Sequence, residues 1–411
     1  MTTSNVTGGP TTKPVPTSED SGASAQGTRL AFVDRLRGFV IVIMALDHVR
    51  DYFSRDNLLY SPTDLTMTHP SVFLTRLITH VCAPTFMLLA GVSIHLSIFR
   101  RAGDVQGLSR FLVTRGIWLI VLECTVVGFA FFFNDVVIVL QVIWAIGASF
   151  VAMAVLVRLP RPFVGVLAIS LMIILGGGML DSLRPQATDL WAAPWALLVQ
   201  GGVLGSWPVV VSYPVLPWLA IMALGYTAGP IADLEPPHRN RWIVSIGLAM
   251  VAIFATLRII DGFGDPLHWT TAPTVIPRGY VFFDVSKYPP SIDYDLLMIG
   301  VALLCAPLLD RVRGQPERVL LTFGRVPLFV YIVHLYLMHG LALLVGLMLG
   351  IPASAFAVTG LRMPNLGPYN WGFGLGGVFL AWIVVLMSVW PMARRFAAYK
   401  ARNRHWWLSY L

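Results

Sequence analysis

Charged residues are scarce in this sequence. Asp, Glu, Lys and Arg make up only 12% of its 411 residues, about half of the roughly 25% that is usual in soluble domains. Hydrophobic residues account for 56%, and the mean hydropathy is +0.72. Apolar runs of about 20 residues recur along the chain, and each is long enough to cross a bilayer as a helix. The composition excludes an ordinary soluble domain and predicts an all-α polytopic membrane protein.

Cysteine is also scarce, and the three cysteines that are present form no pattern. Cys82, Cys124 and Cys305 all lie inside apolar runs and lack the CxxC or Cys/His spacing of a metal site. We therefore expect neither a disulfide framework nor a bound metal. The net charge of +8 is what positively charged loops on one side of a membrane require, so we expect no nucleic-acid partner.

The first 28 residues contain no aromatic residue and are rich in Ser, Thr, Pro and Gly. They lack the basic segment and the apolar core of a signal peptide. Such a composition is typical of disorder. We expect residues 1–28 to form a disordered cytoplasmic tail and residues 29–411 to form one transmembrane domain.

The apolar runs predict a bundle of about ten membrane-spanning helices. The predicted spans are residues 31–53, 72–99, 111–133, 136–157, 162–180, 213–232, 242–260, 293–310, 325–349 and 372–393. The segment 190–206 is too short and too rich in glycine for a span, so we expect it to be interfacial or re-entrant. Arg and Lys are concentrated in the even-numbered connections and near both ends of the chain. The positive-inside rule then places both termini in the cytoplasm.

Three histidines on three different spans are predicted to lie near the middle of the membrane. His48 follows Arg37 by roughly 16 Å of helix, His80 lies roughly 12 Å from the start of its span, and His334 follows Arg325 by roughly 14 Å. The hydrocarbon core is about 30 Å thick. A single buried histidine is usually structural, but three at one depth favour a functional cavity, because ionisable residues are costly there. Imidazole can act as an acid, a base or a nucleophile.

Polar residues at both ends of these spans predict a cavity that opens to both sides. On the outer side, His69 and Arg76 begin the second span, and Lys287 stands beside two prolines that favour an extended, lid-like segment. On the cytoplasmic side, Arg37 and Arg325 each stand next to a glycine, in "DRLRG" and "FGRVP". A phosphate group can approach the backbone closely at such positions. Headgroup anchoring and membrane topology are the alternative explanations for these residues.

Five motifs together resemble a known family. "VDRLRGFVIVIMALDHVRDYF", "TRLITHVCAPTFMLLAGVSIHLS", "YPVLPWLAIMALGYTAG", "KYPPSIDYDLLMIG" and "FGRVPLFVYIVHLYL" follow one another in the chain. In this order they are similar to the bacterial heparan-α-glucosaminide N-acetyltransferase-like proteins, which are transmembrane acyltransferases related to the lysosomal heparan acetyltransferase. The resemblance extends over about residues 29–411.

The resemblance implies acyl transfer from cytoplasmic acetyl-CoA, or another acyl-CoA, to an amino or hydroxyl group of an extracytoplasmic sugar or glycan. His69 lies, with one residue of slippage, where the lysosomal enzyme has its catalytic histidine. His80 stands where that enzyme has an aspartate, so the base or orienting role is open among Asp47, His48 and His80. His334 matches the family directly. The chain is expected in the inner (plasma) membrane of a bacterium.

These considerations assign a predicted role to each candidate residue. His48 or His69 is the base or transient acyl carrier, and Asp47 orients it. His80 and His334 line the acyl channel, and Arg76 and Lys287 lie toward the acceptor. Arg37 and Arg325 hold the phosphates of acyl-CoA.

Two other functions fit the composition. A transporter or flippase would use the midplane histidines as a proton relay, although the internal repeat common in transporters is not visible here. A non-catalytic membrane protein would keep only the scaffold. The sequence leaves open the acceptor, the acyl chain, direct transfer versus an acyl-histidine, and whether the protein is a homodimer.

Overall fold

The computed structural model describes residues 18–100, 103–133, 138–180, 183–186, 189–204, 209–357, 366–403 and 405–410. The α-helices are α1 (Ser18–Phe53), α2 (Arg55–Leu59), α3 (Pro70–His80), α4 (Cys82–Arg100), α5 (Val105–Leu122), α6 (Gly128–Phe132), α7 (Val142–Leu156), α8 (Pro162–Leu180), α9 (Ala192–Trp195), α10 (Val215–Thr227), α11 (Gly229–Ala232), α12 (Pro236–Ile260), α13 (Arg278–Val281), α14 (Ile292–Leu309), α15 (Gln315–Arg325), α16 (Pro327–Met348) and α17 (Leu375–Arg402). Two π-helical turns cover Glu123–Val127 and Ala196–Gln200, and short 3₁₀ turns cover Ala353–Ala355, Gly367–Tyr369 and Trp406–Ser409.

Within the described ranges, seven helical segments are long and apolar enough to cross a membrane. They are Pro70–Ile98, Val105–Phe132, Pro162–Leu180, Pro236–Ile260, Ile292–Leu309, Pro327–Met348 and Leu375–Arg402. Two further apolar helices, α7 and α10, are shorter. The prediction of an all-α polytopic membrane protein is confirmed, whereas the number ten and the cytoplasmic termini stay predictions. The disordered tail also stays a prediction: residues 1–17 lie outside the described residues, and α1 begins at Ser18.

Several predicted boundaries differ from the structure. The span predicted at 136–157 begins with a strand, β1 (Ile138–Leu140), and its helix starts only at Val142. The span predicted at 325–349 is divided between α15 and α16 at Val326, because Pro327 has no N–H to continue the first helix. The segment 190–206 is not one helix but α9, a π-helical turn and the strand β2 (Gly202–Leu204).

The three strands form one small sheet. Its order is β1–β3–β2, where β3 is Val209–Val211. β1 pairs with β3 in parallel and β2 pairs with β3 antiparallel. The sheet brings the chain after α6 next to the chain before α10.

α1 is the central helix of the bundle and packs on α3, α4, α14, α15, α16 and α17. Its closest approach to α15 occurs at two glycines. A Cβ atom on Gly38 would lie 1.9 Å from the carbonyl oxygen of Leu320, and one on Gly324 would lie 1.8 Å from that of Asp34. The prediction that these glycines let a phosphate approach the backbone is therefore wrong, because each is covered by the carbonyl of the facing helix.

We call the end of the bundle that carries Arg35, Arg37 and Arg239 the basic end. There, Arg35 pairs with Asp310 at 3.2 Å and with Glu317 at 2.6 Å, and Arg239 also pairs with Asp310. The hydrogen bond from Arg35 holds the pKa of Glu317 below its ordinary value. These ion pairs tie α1, α12, α14 and α15 together.

We call the opposite end, with residues 54–69 and 261–291, the loop end. Arg258, in the last turn of α12, is only 1% exposed. Its guanidinium donates to the carbonyl oxygens of Leu267 (2.9 Å), Val281 (3.1 Å), Phe282 (3.0 Å) and Asp284 (2.8 Å). Arg258 thus fastens the long loop before α14 to α12 at four carbonyl groups.

Candidate functional site

The carboxylate of Asp47 is the centre of a polar cluster inside the bundle. Nη1 of Arg76 lies 2.7 Å from Oδ1 and 2.9 Å from Oδ2. The hydroxyl of Thr79 donates to Oδ1 at 2.8 Å, and Arg50, one turn along α1, donates to the same oxygen. Arg50 is completely buried and also donates to Thr75. Asp47 therefore neutralises two arginines and links α1 to α3.

This geometry differs from the predicted role of Asp47 as the group that orients His48. Successive residues of a helix point about 100° apart, so the two neighbours face different sides of α1. The carboxylate beside His48 is that of Asp51, whose Oδ2 lies 3.8 Å from Nδ1 of the imidazole. Asp47 instead positions Arg76.

His48 faces His334 across the interface between α1 and α16. Their ring centroids are 5.4 Å apart, and Tyr331 lies 6.0 Å from His48 and 5.7 Å from His334. Phe131 closes a third side of His48 at 5.1 Å. Nδ1 of His48, Nε2 of His334 and the hydroxyl of Tyr331 are all buried without a hydrogen-bond partner in the described part of the chain. A buried polar group without a hydrogen bond is costly, which makes these three groups candidates for contact with a ligand.

The hydrogen bonding of His334 determines its tautomer. Nδ1 lies 3.0 Å from the carbonyl oxygen of Val330, and a carbonyl oxygen only accepts, so Nδ1 carries the proton. In the neutral ring Nε2 then has a free lone pair, and it is this atom that lacks a partner. Nε2 of His334 can thus act as a base or nucleophile, in a ring whose centroid lies 5.4 Å from that of His48.

His80 lies at the junction between α3 and α4. It is buried, with its ring 5.8 Å from that of Tyr294. Its carbonyl oxygen would receive a helical bond from residue 84, but Pro84 has no N–H, and the hydroxyl of Tyr294 donates to it instead at 2.8 Å. The charges of Arg76, Lys287 and Asp47 act on the imidazole, so His80 belongs to the Asp47 cluster rather than to the pair of His48 and His334.

Lys287 is 7% exposed and brings the loop end to the same cluster. Its Nζ lies 5.1 Å from the ring centroid of Tyr288 and 5.8 Å from that of Tyr213, distances at which a cation is attracted to an aromatic face. Its charge acts on Asp47 together with those of Arg76 and Arg50.

His69 is not brought into this cluster. It is the N-cap residue of α3, where its side chain is exposed and makes no capping bond. It precedes Arg76 by seven residues, roughly 10 Å along the helix. His69 therefore lies at the mouth of the loop end.

The two arginines predicted to hold phosphates have different surroundings. Arg37 donates to the carbonyl oxygen of Leu89 at 3.4 Å and to the hydroxyl of Ser93. Its Nη1 lies 3.7 Å from Oδ1 of Asp34, and its charge also acts on Arg115 and Lys400 at the basic end. Arg325 is 61% exposed and lies 4.0 Å from Asp34.

Glu123 is a buried acid that our sequence reasoning missed. It lies in the π-helical turn after α5, and its carboxylate accepts hydrogen bonds from the backbone N–H of Gln141 (3.1 Å) and Trp144 (3.2 Å) at the start of α7. Its charge acts on Tyr331. A π-helical turn often marks a functional site. The signal was available, because a lone carboxylate inside an apolar run is itself unusual.

Comparison with known proteins assigns the chain to a family. Across the described ranges, no three His, Cys, Asp or Glu side chains come together as a metal site. No curated protein matches the sequence significantly. The family model described as heparan-alpha-glucosaminide N-acetyltransferase, catalytic, matches residues 29–257, more than half of the chain. That range contains Asp47, His48, His69, Arg76 and His80, and also Glu123. The chain therefore belongs to the heparan-alpha-glucosaminide N-acetyltransferase catalytic family of transmembrane acyltransferases.

Proposed function

We propose that the protein transfers an acetyl or other acyl group from cytoplasmic acyl-CoA to an amino or hydroxyl group of an extracytoplasmic sugar. The main observation behind this proposal is the buried pair of His48 and His334, in which each imidazole has a ring nitrogen without a hydrogen bond to the described residues. Membership of an acetyltransferase family supplies the reaction class.

The reaction needs a base between the acceptor and the thioester. In our proposal the lone pair on Nε2 of His334 takes the proton as the acceptor nitrogen or oxygen attacks the thioester carbonyl carbon. The carbon–sulfur bond then breaks, and the CoA thiolate leaves and takes up that proton. The rings of His48 and Tyr331 lie 5.4 Å and 5.7 Å from that of His334, and in our proposal they donate to the developing oxyanion.

The two ends of the bundle would receive different substrates. Arg37, Arg115 and Lys400 carry positive charge that suits the phosphates of acyl-CoA, so in our proposal the basic end faces the cytoplasm. Arg325 lies outside this group and would add only exposed charge. At the loop end, Arg76 and Lys287 would contact the acceptor, and His80 would line the passage between them and the histidine pair.

The first experiment is a transfer assay with purified protein. It receives radiolabelled acetyl-CoA and glucosamine, and both free CoA thiol and labelled sugar are measured. We expect both products in equal amounts. Proton-coupled uptake into vesicles without CoA release would support a transporter instead and would contradict the proposal.

Histidine variants identify the base. His334→Gln should lower kcat by about 10²–10⁴-fold, the usual contribution of a general base. His339→Gln is the matched control on the same helix, because His339 is also buried but bonds to the carbonyl oxygens of Ala130 (3.0 Å) and Phe356 (3.3 Å). We expect His339→Gln to change stability rather than turnover.

His69 tests the role that the family resemblance implies. If the base lies in the histidine pair, His48→Ala should lose turnover while His69→Ala keeps most of it. Turnover that survives in His48→Ala and is lost in His69→Ala would move the base to the mouth of the loop end.

A further inference from the structure

A cavity of about 500 Å³ lies beside the candidate site, toward the loop end. One wall is the last part of α8, from Ile173 to Leu180, which extends roughly 10 Å along the helix axis. The opposite wall carries the polar side chains of Asp265, Ser286, Tyr288, Ser291 and Asp295. The cavity is thus apolar on one side and polar on the other.

The apolar wall also reaches the outer surface of the bundle, where a lipid chain could approach. Leu175 and Met179 line the cavity and are 58% and 78% exposed, and Met172 on the same helix is 68% exposed. Gly177 and Gly178 line the cavity, and a Cβ atom on either would have no neighbour within 4 Å. These glycines are therefore not required for helix packing, and their missing side chains widen the cavity.

The polar wall contains a carboxylate without a partner. Asp295 is 7% exposed and lines the cavity, and its buried Oδ1 accepts no hydrogen bond within the described part of the chain. The other carboxylate on this wall, Asp265, is satisfied by the backbone N–H groups of Leu267 and Ser286 and by the hydroxyl of Ser291. A buried acceptor of this kind calls for a donor from a ligand.

Tyr288 connects the cavity to the polar cluster. Its side chain lines the cavity, and its ring lies 5.1 Å from Nζ of Lys287, whose charge acts on Asp47. A molecule bound in the cavity therefore lies next to the residues that we place at the acceptor side.

We infer that the acceptor is an amphiphile of the adjoining membrane leaflet, with its apolar chain against Gly177 and Gly178 and a hydroxyl or amine of its head donating to Asp295. The role of the amphiphile as acyl acceptor rests on the proposed function. Its binding in the cavity does not. We infer an amphiphile rather than a free sugar because a free sugar would leave the apolar wall of the cavity without contacts.

The binding test uses tritiated decyl glucosaminide and detergent-purified protein. Gly177→Leu fills the cavity, and Gly176→Leu is the matched control, because Gly176 also has open space but does not line the cavity. Each buried methylene improves binding about fourfold, so Gly177→Leu should weaken binding by about tenfold or more while Gly176→Leu binds like the wild type. Equal binding by all three proteins would overturn the inference.

Asp295→Asn tests the position of the head. The amide keeps the size of the carboxyl group but replaces one of its oxygens with an NH₂ group that cannot accept, so binding of the amine-headed probe should fall by up to about tenfold, as expected for losing one hydrogen bond. Unchanged binding would overturn the contact with Asp295.

A turnover test separates this inference from the proposed function. We expect kcat/KM for decyl glucosaminide to exceed that for glucosamine by about tenfold or more, and Gly177→Leu to lose this advantage. Equal kcat/KM values for the two acceptors in the wild type would overturn the inference that the acceptor is an amphiphile. The proposal of acyl transfer would stand. Transfer to neither acceptor would contradict the proposed function, and the binding test would still decide the ligand of the cavity.

Discussion

Gly38→Ala tests how tightly the position of α1 depends on α15. The added Cβ atom would lie 1.9 Å from the carbonyl oxygen of Leu320, so the helices must separate by about 1.5 Å to restore an ordinary contact. Overpacking of this kind costs about 1–3 kcal/mol. The change from Gly to Ala alone favours a helix by about 1 kcal/mol.

Gly176→Ala isolates the steric part of this cost, because it makes the same change on α8 where a Cβ atom has open space. We expect Gly38→Ala to be less stable than Gly176→Ala by about 1–3 kcal/mol, measured as the free energy of unfolding in detergent. Turnover should also fall by about a hundredfold, because α1 carries His48 and misplacement by about 1 Å has that effect.

A double variant provides a sharper test of the same contact. Gly324→Ala opposes the carbonyl of Asp34 at the same crossing, so one displacement of the helices relieves both clashes. The loss of stability in Gly38→Ala with Gly324→Ala should therefore be smaller than the sum of the single losses. If Gly38→Ala is as stable as Gly176→Ala, our reasoning about this crossing is wrong.

Three further predictions concern buried charges. Arg76→Gln takes a charged partner from Asp47 and should lower the free energy of unfolding by about 1.5–3 kcal/mol, measured by denaturation in detergent, whereas the exposed Arg325→Gln should cost less than about 0.5 kcal/mol. Arg258→Gln should speed limited proteolysis of the loop 261–291, because four carbonyl oxygens lose their donor. Asp284 should make stability fall as the pH rises from about 4 to about 7, because burial raises its pKa to about 7, so the folded protein holds the proton more tightly than the unfolded chain. Asp284→Asn should make this slope shallower in thermal unfolding measured across that range, because the contribution of one buried carboxyl is lost.

Each of these predictions has a contradicting result. Equal stability losses at Arg76 and Arg325 would show that the Asp47 cluster does not depend on its second arginine. Unchanged proteolysis in Arg258→Gln would mean that the loop is held by other contacts. A pH slope that is equally steep in Asp284→Asn and in the wild type would assign the titration to another group.

The sequence was sufficient to predict the depth of a residue in the membrane, because depth depends only on the regular spacing of residues along a helix. Because a helix rises 1.5 Å per residue, counting from the two ends was enough to place His48 and His334 at one depth, and the structure brings their rings to 5.4 Å. Composition was likewise enough for a multi-pass helical protein. These inferences need depth alone and no knowledge of which helices are neighbours.

The sequence did not predict which way side chains point around a helix, or where a helix is interrupted. Asp47 adjoins His48 in the chain but bonds to Arg76, because the packing of α3 against α1 decides which face it meets. The break between α3 and α4 depends on Pro84, and the donor that compensates for it comes from Tyr294, more than 200 residues away. Contacts of this kind require the tertiary arrangement.

The attachment of the loop 261–291 has a consequence for chimaeric proteins. Its two ends meet through Arg258 and Asp293, whose side chains are 3.9 Å apart, and the arginine also holds the interior of the loop. The unit of exchange between relatives is therefore the cassette from residue 258 to residue 293, not the exposed loop alone. If only the loop between the helix ends were exchanged, the arginine of the host would face carbonyl groups of a different loop. Exchange of residues 258–293 transfers the arginine together with the carbonyl groups that it binds.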